Sequence, residues 1–297
     1  QSFLQQRCIA ERASKPHAPA ARQAKRLQHG FEHGLVTQQD FKVRLRRGEA
    51  HHVDGFGLAF HDGRSCRVFI DEQRASDAAL ADFLRRHPIR ARTVMAHVRK
   101  ATQGPVTLEN CHPFVREWQG RHWSFCHNGD LKGFTPRLNG SHLPVGDTDS
   151  ERAFCFLLQE LRRNFRRRAA PHWKHVAPLL AELAGGVARF GNFNFLLSDG
   201  EVLYAHASTR LHALQRQHPF AEAHLVDHDL VLDLAQANGP DDRMVLIATE
   251  PLTRNEPWRP FAAGELRVFE AGEEVWRHTP ARREAPAAHF AARLAAA

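Results

Sequence analysis

No apolar run in this chain is long enough to span a bilayer, and no compact apolar stretch with a cleavage site follows its N-terminus. The expectation is a soluble, cytoplasmic protein with no membrane partner. Cys-x-x-Cys pairs are also missing, and the five cysteines (Cys8, Cys66, Cys111, Cys126 and Cys155) are odd in number, so neither a disulfide framework nor a cysteine-rich zinc cluster is indicated. Reduced thiols are expected. Internal repeats, low-complexity linkers and a second catalytic domain are absent as well. Arginine runs occur at Arg44-Leu45-Arg46-Arg47 and Arg166-Arg167-Arg168, and the net charge is +8, but no aromatic–basic recognition motif accompanies them. Solvated helix ends or loops are therefore expected rather than a nucleic-acid surface.

What is present suffices for a sizeable core: 42% of the residues are apolar and 25% charged, within 297 residues. The chain reads in three parts. Residues 1–50 are rich in Gln, Arg, Ala and His and show neither strand alternation nor a broad helical face. They are expected to be an extension, a mobile arm or an aberrant start, with at most a short helix over Ala20–Leu27. Residues 51–278 carry the patterned elements, and 279–297 are an Ala/Arg-rich tail, either a terminal helix or disordered.

Within the central part, Asp62-Gly63 and Asp199-Gly200 mark hairpins. Helical spacing marks Asp77–Arg86, a helix starting at Thr148 or Asp149 with Phe154, Leu157, Leu158, Leu161 and Phe165 on one face, and a helix from Trp173 to Leu183 stopped by Gly185-Gly186. Leu225–Leu234, Met244–Thr249, Leu266–Phe269 and Glu274–Trp276 read as strands. Many strands with two helices in the middle predict an α+β layered domain.

Three polar signatures stand where apolar runs end: Ala96-His97-Val98-Arg99-Lys100-Ala101-Thr102, Cys126-His127-Asn128-Gly129 and Asp147-Thr148-Asp149-Ser150-Glu151. Arg99, just past a buried strand, offers a planar fork that can hold a carboxylate, although a structural salt bridge would use it equally well. Asn128-Gly129 can supply a side-chain N–H and a backbone N–H to an oxyanion, or can simply turn the chain. Asp149 can pair with an ammonium group or serve as a helix cap. His51, His52, His97, His112 and His127 fall near these segments. They show no metal-ligand spacing, and His97 and His127 are expected as hydrogen-bonded supports rather than ligands.

The three signatures in this order, with His52-x-Asp54-Gly55-x-Gly57, Asn110-x-His112-Pro113-Phe114 and Thr249-Glu250-Pro251-Leu252-Thr253, resemble class II glutamine amidotransferases of the N-terminal-nucleophile hydrolase type. The likeness is to the small stand-alone bacterial branch, near enzymes acting on γ-glutamyl compounds, and covers about residues 50–270. The resemblance implies a four-layer αββα sandwich, no cofactor and no metal. It implies that Arg99 clamps the α-carboxylate of glutamine or a γ-glutamyl group, that Asp149 holds the α-ammonium, and that Asn128 and Gly129 stabilise the oxyanion. The family attacks its amide with the thiolate of an N-terminal cysteine, passing through a thioester. This chain begins at Gln1, so Cys8, the only cysteine ahead of His52, is the candidate nucleophile and would need its seven preceding residues removed. The alternatives are an error of start or reading frame and a homologue that binds without cutting. Any ammonia acceptor would sit on a separate synthase partner.

Overall fold

The computed structural model describes residues 7–13, 54–99, 104–166, 171–226, 231–236, 238–280 and 288–295, with the backbone alone for Arg7–Ala13. His51, His52, Thr102, the Arg44–Arg47 run, Arg167, Arg168 and the Ala20–Leu27 segment lie outside the described residues.

The strands are β1 (Arg7–Ala13), β2 (Phe56–Asp62), β3 (Ser65–Asp71), β4 (Thr93–Val98), β5 (Phe114–Trp118), β6 (Arg121–Asn128), β7 (Asn194–Ser198), β8 (Val202–Ala207), β9 (His212–Gln217), β10 (Glu222–His224), β11 (Val231–Asp233), β12 (Arg243–Ala248), β13 (Arg259–Pro260), β14 (Glu265–Glu270) and β15 (Glu273–His278). The helices are α1 (Ala79–Arg86), α2 (Asp149–Asn164), α3 (Trp173–Val187) and α4 (Ala288–Ala295). One antiparallel sheet has the order β13-β9-β12-β1-β4-β2-β3, a second has β15-β14-β8-β7-β6-β5, and β10 and β11 form a separate pair.

Alternation along the strands explains the layering. Ala59, Met95, Val245 and Ile247 of the first sheet meet Cys126, Leu196, Leu203 and Ala205 of the second in one buried layer. The opposite face of β2 and β4 (Phe56, Leu58, Phe60, Val94, Ala96) packs on Ala81 and Leu84 of α1. The outer face of the second sheet (Trp123, Phe125, Phe195, Tyr204) packs on Phe154, Leu157 and Leu161 of α2 and on Val176, Leu180 and Leu183 of α3. Helix, sheet, sheet and helices therefore stack as the expected α+β, four-layer αββα sandwich.

Three details depart from the sequence reading. Residues 7–13 form an inner strand of the larger sheet, pairing with β12 on one side and β4 on the other, although Ile9–Ala13 shows no strand alternation. Helix α3 runs through Gly185 and Gly186 to Val187 instead of ending there. Of the Leu225–Leu234 segment, Val231–Asp233 form the short strand β11, which pairs with β10 just ahead of the segment.

Candidate functional site

The site is built where β4, β6 and α2 present their ends. Thr148, not Asp149, caps α2: its hydroxyl accepts from the Glu151 N–H at 3.2 Å. That leaves the Asp149 carboxylate free of the capping task. Its Oδ1 accepts from the Ser150 N–H at 2.7 Å and its Oδ2 from the Leu131 N–H at 2.6 Å, which ties the helix start to the chain just beyond Gly129. Asp149 is 9% exposed.

Arg99 follows β4 and is 4% exposed. Its backbone exchanges hydrogen bonds with the Asp54–Gly55 segment: Arg99 N–H donates to the Gly55 carbonyl at 2.8 Å and Asp54 N–H to the Arg99 carbonyl at 2.9 Å. The guanidinium donates through Nη1 to the Asp54 carbonyl at 3.5 Å and through Nη2 to the Gly104 carbonyl at 3.4 Å. These are long bonds to neutral acceptors, weaker than the fork–fork pairing a carboxylate would offer.

Gly55 and Gly57 earn their places by contact. A Cβ on Gly55 would stand 2.5 Å from Cys111 Sγ, and one on Gly57 would stand 2.3 Å from the His112 carbonyl oxygen. The glycines let the 111–113 segment lie directly on β2. Gly129 is equally confined: a Cβ there would fall 1.6 Å from the Asn192 carbonyl oxygen. Asn128 pairs with Asn194 across β6 and β7, and Asn194 Nδ2 donates to the Asn128 carbonyl at 3.1 Å and to Thr209 Oγ1 at 2.9 Å. By alternation Asn128 shares the face of Ser124 and Cys126, towards the other sheet.

Histidines join these parts. His97 Nε2 lies 3.1 Å from His112 Nδ1, the His127 N–H donates to the same His112 nitrogen at 3.5 Å, and His127 Nδ1 lies 2.8 Å from Ser150 Oγ. Burial pushes His97 down to about 3, with the His127 and Arg99 charges adding to it. Burial and the neighbouring charges of His97, His127 and Arg99 push His112 well below the ordinary range. Burial also lowers His127, against an upward pull from Asp149. All three rings are thus neutral near pH 7, each with one donor and one acceptor nitrogen. His127 Nε2 faces the Asn192 carbonyl at 2.9 Å and must donate there, so Nδ1 accepts from the Ser150 hydroxyl. His97 and His127 are thus hydrogen-bonded to the segments around them.

A continuous run of contacts therefore joins the Arg99 strand, the Asn128-Gly129 turn and the Asp149 helix start. A family model, "Glutamine amidotransferases class-II", matches residues 34–292. The chain belongs to the class II glutamine amidotransferases. It is 42% identical over 233 residues to an Escherichia coli (strain K12) protein named "Putative glutamine amidotransferase YafJ", covering 78% of this chain and 91% of that protein. A Haemophilus influenzae protein named "Putative glutamine amidotransferase" is 42% identical over 224 residues, covering 75% of this chain and 76% of its own length. The crystal structure of a "predicted glutamine amidotransferase" from Pseudomonas aeruginosa matches with a TM-score of 0.63 at 40% identity, over 75% of this chain and 87% of that one.

Cys8 is placed by backbone register alone. It pairs with Ile247 and Met95, residues of the layer between the sheets. Met95 is four residues short of Arg99, which is roughly 13 Å along a strand. Cys111 and Cys126 are buried, and burial raises the Cys111 thiol to about 11 despite the nearby Arg99 charge, as suits packing residues. Of the late motif, Thr253 accepts from Trp258 Nε1 at 2.9 Å and donates to Glu256 at 2.6 Å, while Glu250 pairs with Arg210, whose N–H reaches Asn194. That motif is linked to Asn128 through Arg210 and then Asn194. Asn194, Thr209 and Ser150 were not singled out from the sequence as supports of the site. Only the helix-start position of Ser150 pointed to it.

Proposed function

We propose that the protein binds the free amino-acid end of glutamine or a γ-glutamyl amide between Arg99 and Asp149 and cleaves its amide. The observation that supports this best is the run of contacts His97–His112–His127–Ser150–Asp149, which links the segments that carry Arg99, Asn128-Gly129 and Asp149. Arg99 turns its guanidinium fork to the ligand's α-carboxylate. Asp149 keeps its backbone donors and accepts from the ammonium. Attack of a thiolate on the carboxamide carbon converts the C=O to an oxyanion, which Asn128 Nδ2 and the Gly129 N–H receive. Collapse expels ammonia or an amine carrying the thiol's proton. Water then opens the thioester to release the γ-carboxylate and regenerate the thiol.

The thiol in this proposal is Cys8, freed at its α-amino group by loss of the preceding residues. By backbone register Cys8 lies opposite Met95 of β4 and Ile247 of β12, and Arg7 ahead of it is paired with Ala248. This register favours a second reading, a γ-glutamyl-binding protein that does not cut. Calorimetry with L-glutamine and an ammonia-release assay, on the native mature protein and on Cys8→Ala, separate them. Binding with turnover that Cys8→Ala abolishes supports the hydrolase. Binding with no turnover in either supports the second reading, and no binding at all overturns both. Intact mass with N-terminal sequencing of the same sample shows whether the chain starts at a cysteine.

A further inference from the structure

The Asn110-x-His112-Pro113 motif has so far contributed only His112. Asn110 is fully buried, at the end of a single 3-10 turn (Leu108–Asn110) outside the sheets, and its amide is used at both ends. Nδ2 donates to the Pro105 carbonyl at 3.1 Å, and Oδ1 accepts from the Asp147 N–H at 2.9 Å. Two glycines close on it. A Cβ on Gly104, where φ is +73°, would stand 3.1 Å from Nδ2, and one on Gly146 would stand 2.2 Å from Oδ1.

The two segments it bridges carry the two halves of the proposed binding site. Gly104 presents the carbonyl that receives Arg99 Nη2. Asp147 directly precedes the Thr148 cap and Asp149. The turn before α2 is held from its other side by Glu151, whose Oε2 accepts from Val145 N–H at 3.1 Å and Gly146 N–H at 2.8 Å, and whose Oε1 pairs with Arg116. With Glu151 fixing that turn to α2, Asn110 is the bridge between it and the loop that steadies the guanidinium.

We propose that Asn110 is a positioning residue that sets the spacing between Arg99 and Asp149 and so governs affinity for the α-amino-acid end of the ligand. The inference rests on the γ-glutamyl reading above. An amide serves because one short side chain must donate to a carbonyl and accept from an N–H. Asn110→Ala removes both bridges. Asn110→Asp keeps the shape and the acceptor for Asp147 but cannot donate to Pro105, so it loosens the Gly104–Arg99 side alone.

The test is binding, by calorimetry or ligand-observed NMR, of L-glutamine, of glutaramate (carboxylate but no ammonium) and of 4-aminobutanamide (ammonium but no carboxylate). Thermal melts are run alongside. The expected result is a Kd for L-glutamine raised about tenfold or more in Asn110→Ala. In Asn110→Asp, glutaramate should weaken more than 4-aminobutanamide. A merely structural role predicts equal loss for all three ligands in step with the melting temperature, and that result, or a Kd within about twofold of wild type, overturns the proposal. If wild type itself binds no L-glutamine, the underlying γ-glutamyl reading has failed. If wild type binds and the variants are unchanged, only the role of Asn110 has failed.

Discussion

Gly129 admits no side chain, because its Cβ position is already filled by the Asn192 carbonyl oxygen. Gly129→Ala must therefore push the turn off β7. Its expected effect is a fall in melting temperature together with loss of glutamine hydrolysis; an unchanged melt would show that the turn has room to shift. Asn128→Ala, by contrast, should lower hydrolysis by about a hundredfold or more while L-glutamine binding stays nearly intact, since an oxyanion donor acts only as charge develops. Parallel loss of binding would make Asn128 a structural turn. Arg99→Lys keeps the charge but not the fork, so the Kd for L-glutamine should rise by about tenfold or more; an unchanged Kd removes Arg99 from the carboxylate contact. These three positions were legible in the sequence because each ends a strand or abuts a turn in a fixed order. Their partners were not. Nothing local to Asn194, in a strand, says that its amide braces Asn128, and nothing around His112 says that its ring meets His97 and the His127 backbone. Those contacts exist only once β4, β6 and β7 are assembled.

At the scale of elements, the glycines of α3 show how a local rule can be right about cost and wrong about outcome. Gly185-Gly186 reads as a helix stop, yet the helix continues because a Cβ on Gly186 would stand 2.2 Å from the Phe290 ring of α4. Gly186 is there so that α4 can dock. Gly185, one residue earlier, faces open space. Gly185→Ala should stabilise the protein by up to about 1 kcal/mol through helix propensity, whereas Gly186→Ala should destabilise it despite the same propensity gain. Thermal melts that move in the same direction for both would refute the docking argument. The missed strand β1 has a different cause. Its pairing shifts register between Ile9 and Glu11 on both sides, so alternation is broken in the middle of a seven-residue element. A bulge between Ile9 and Glu11 leaves no period for a sequence reading to find.

For the whole molecule, buried neutral histidines make stability depend on pH. Burial, with the charge of His122 assisting, lowers His61 from 6.5 to about 4. Burial likewise lowers His206 to about 4 against an opposing hydrogen bond to the Phe193 carbonyl, and His97 falls to about 3. Below pH 6.5 the unfolded chain binds more protons at these rings than the folded one, so their contribution is complete above that pH and is lost as pH falls towards 4. Between pH 7 and pH 5 each such histidine should cost on the order of 2 kcal/mol. Urea titrations at the two pH values check this; equal midpoints would mean the rings are charged or hydrated in the folded state.

The position of β1 also has a bearing on how the chain assembles as it is made. Arg7 pairs with Ala248, and Cys8 with both Ile247 and Met95. During synthesis β1 can find β4 soon after β4 has emerged, but its other edge stays open until β12 is complete. An early strand with one bare edge, waiting on a partner made near the end, is a slow, long-range closure. It is also an invitation for another chain to pair there first. Refolding yield should therefore fall with protein concentration, and a short peptide that copies β12 should compete with the chain's own closure during refolding while leaving the finished sandwich untouched.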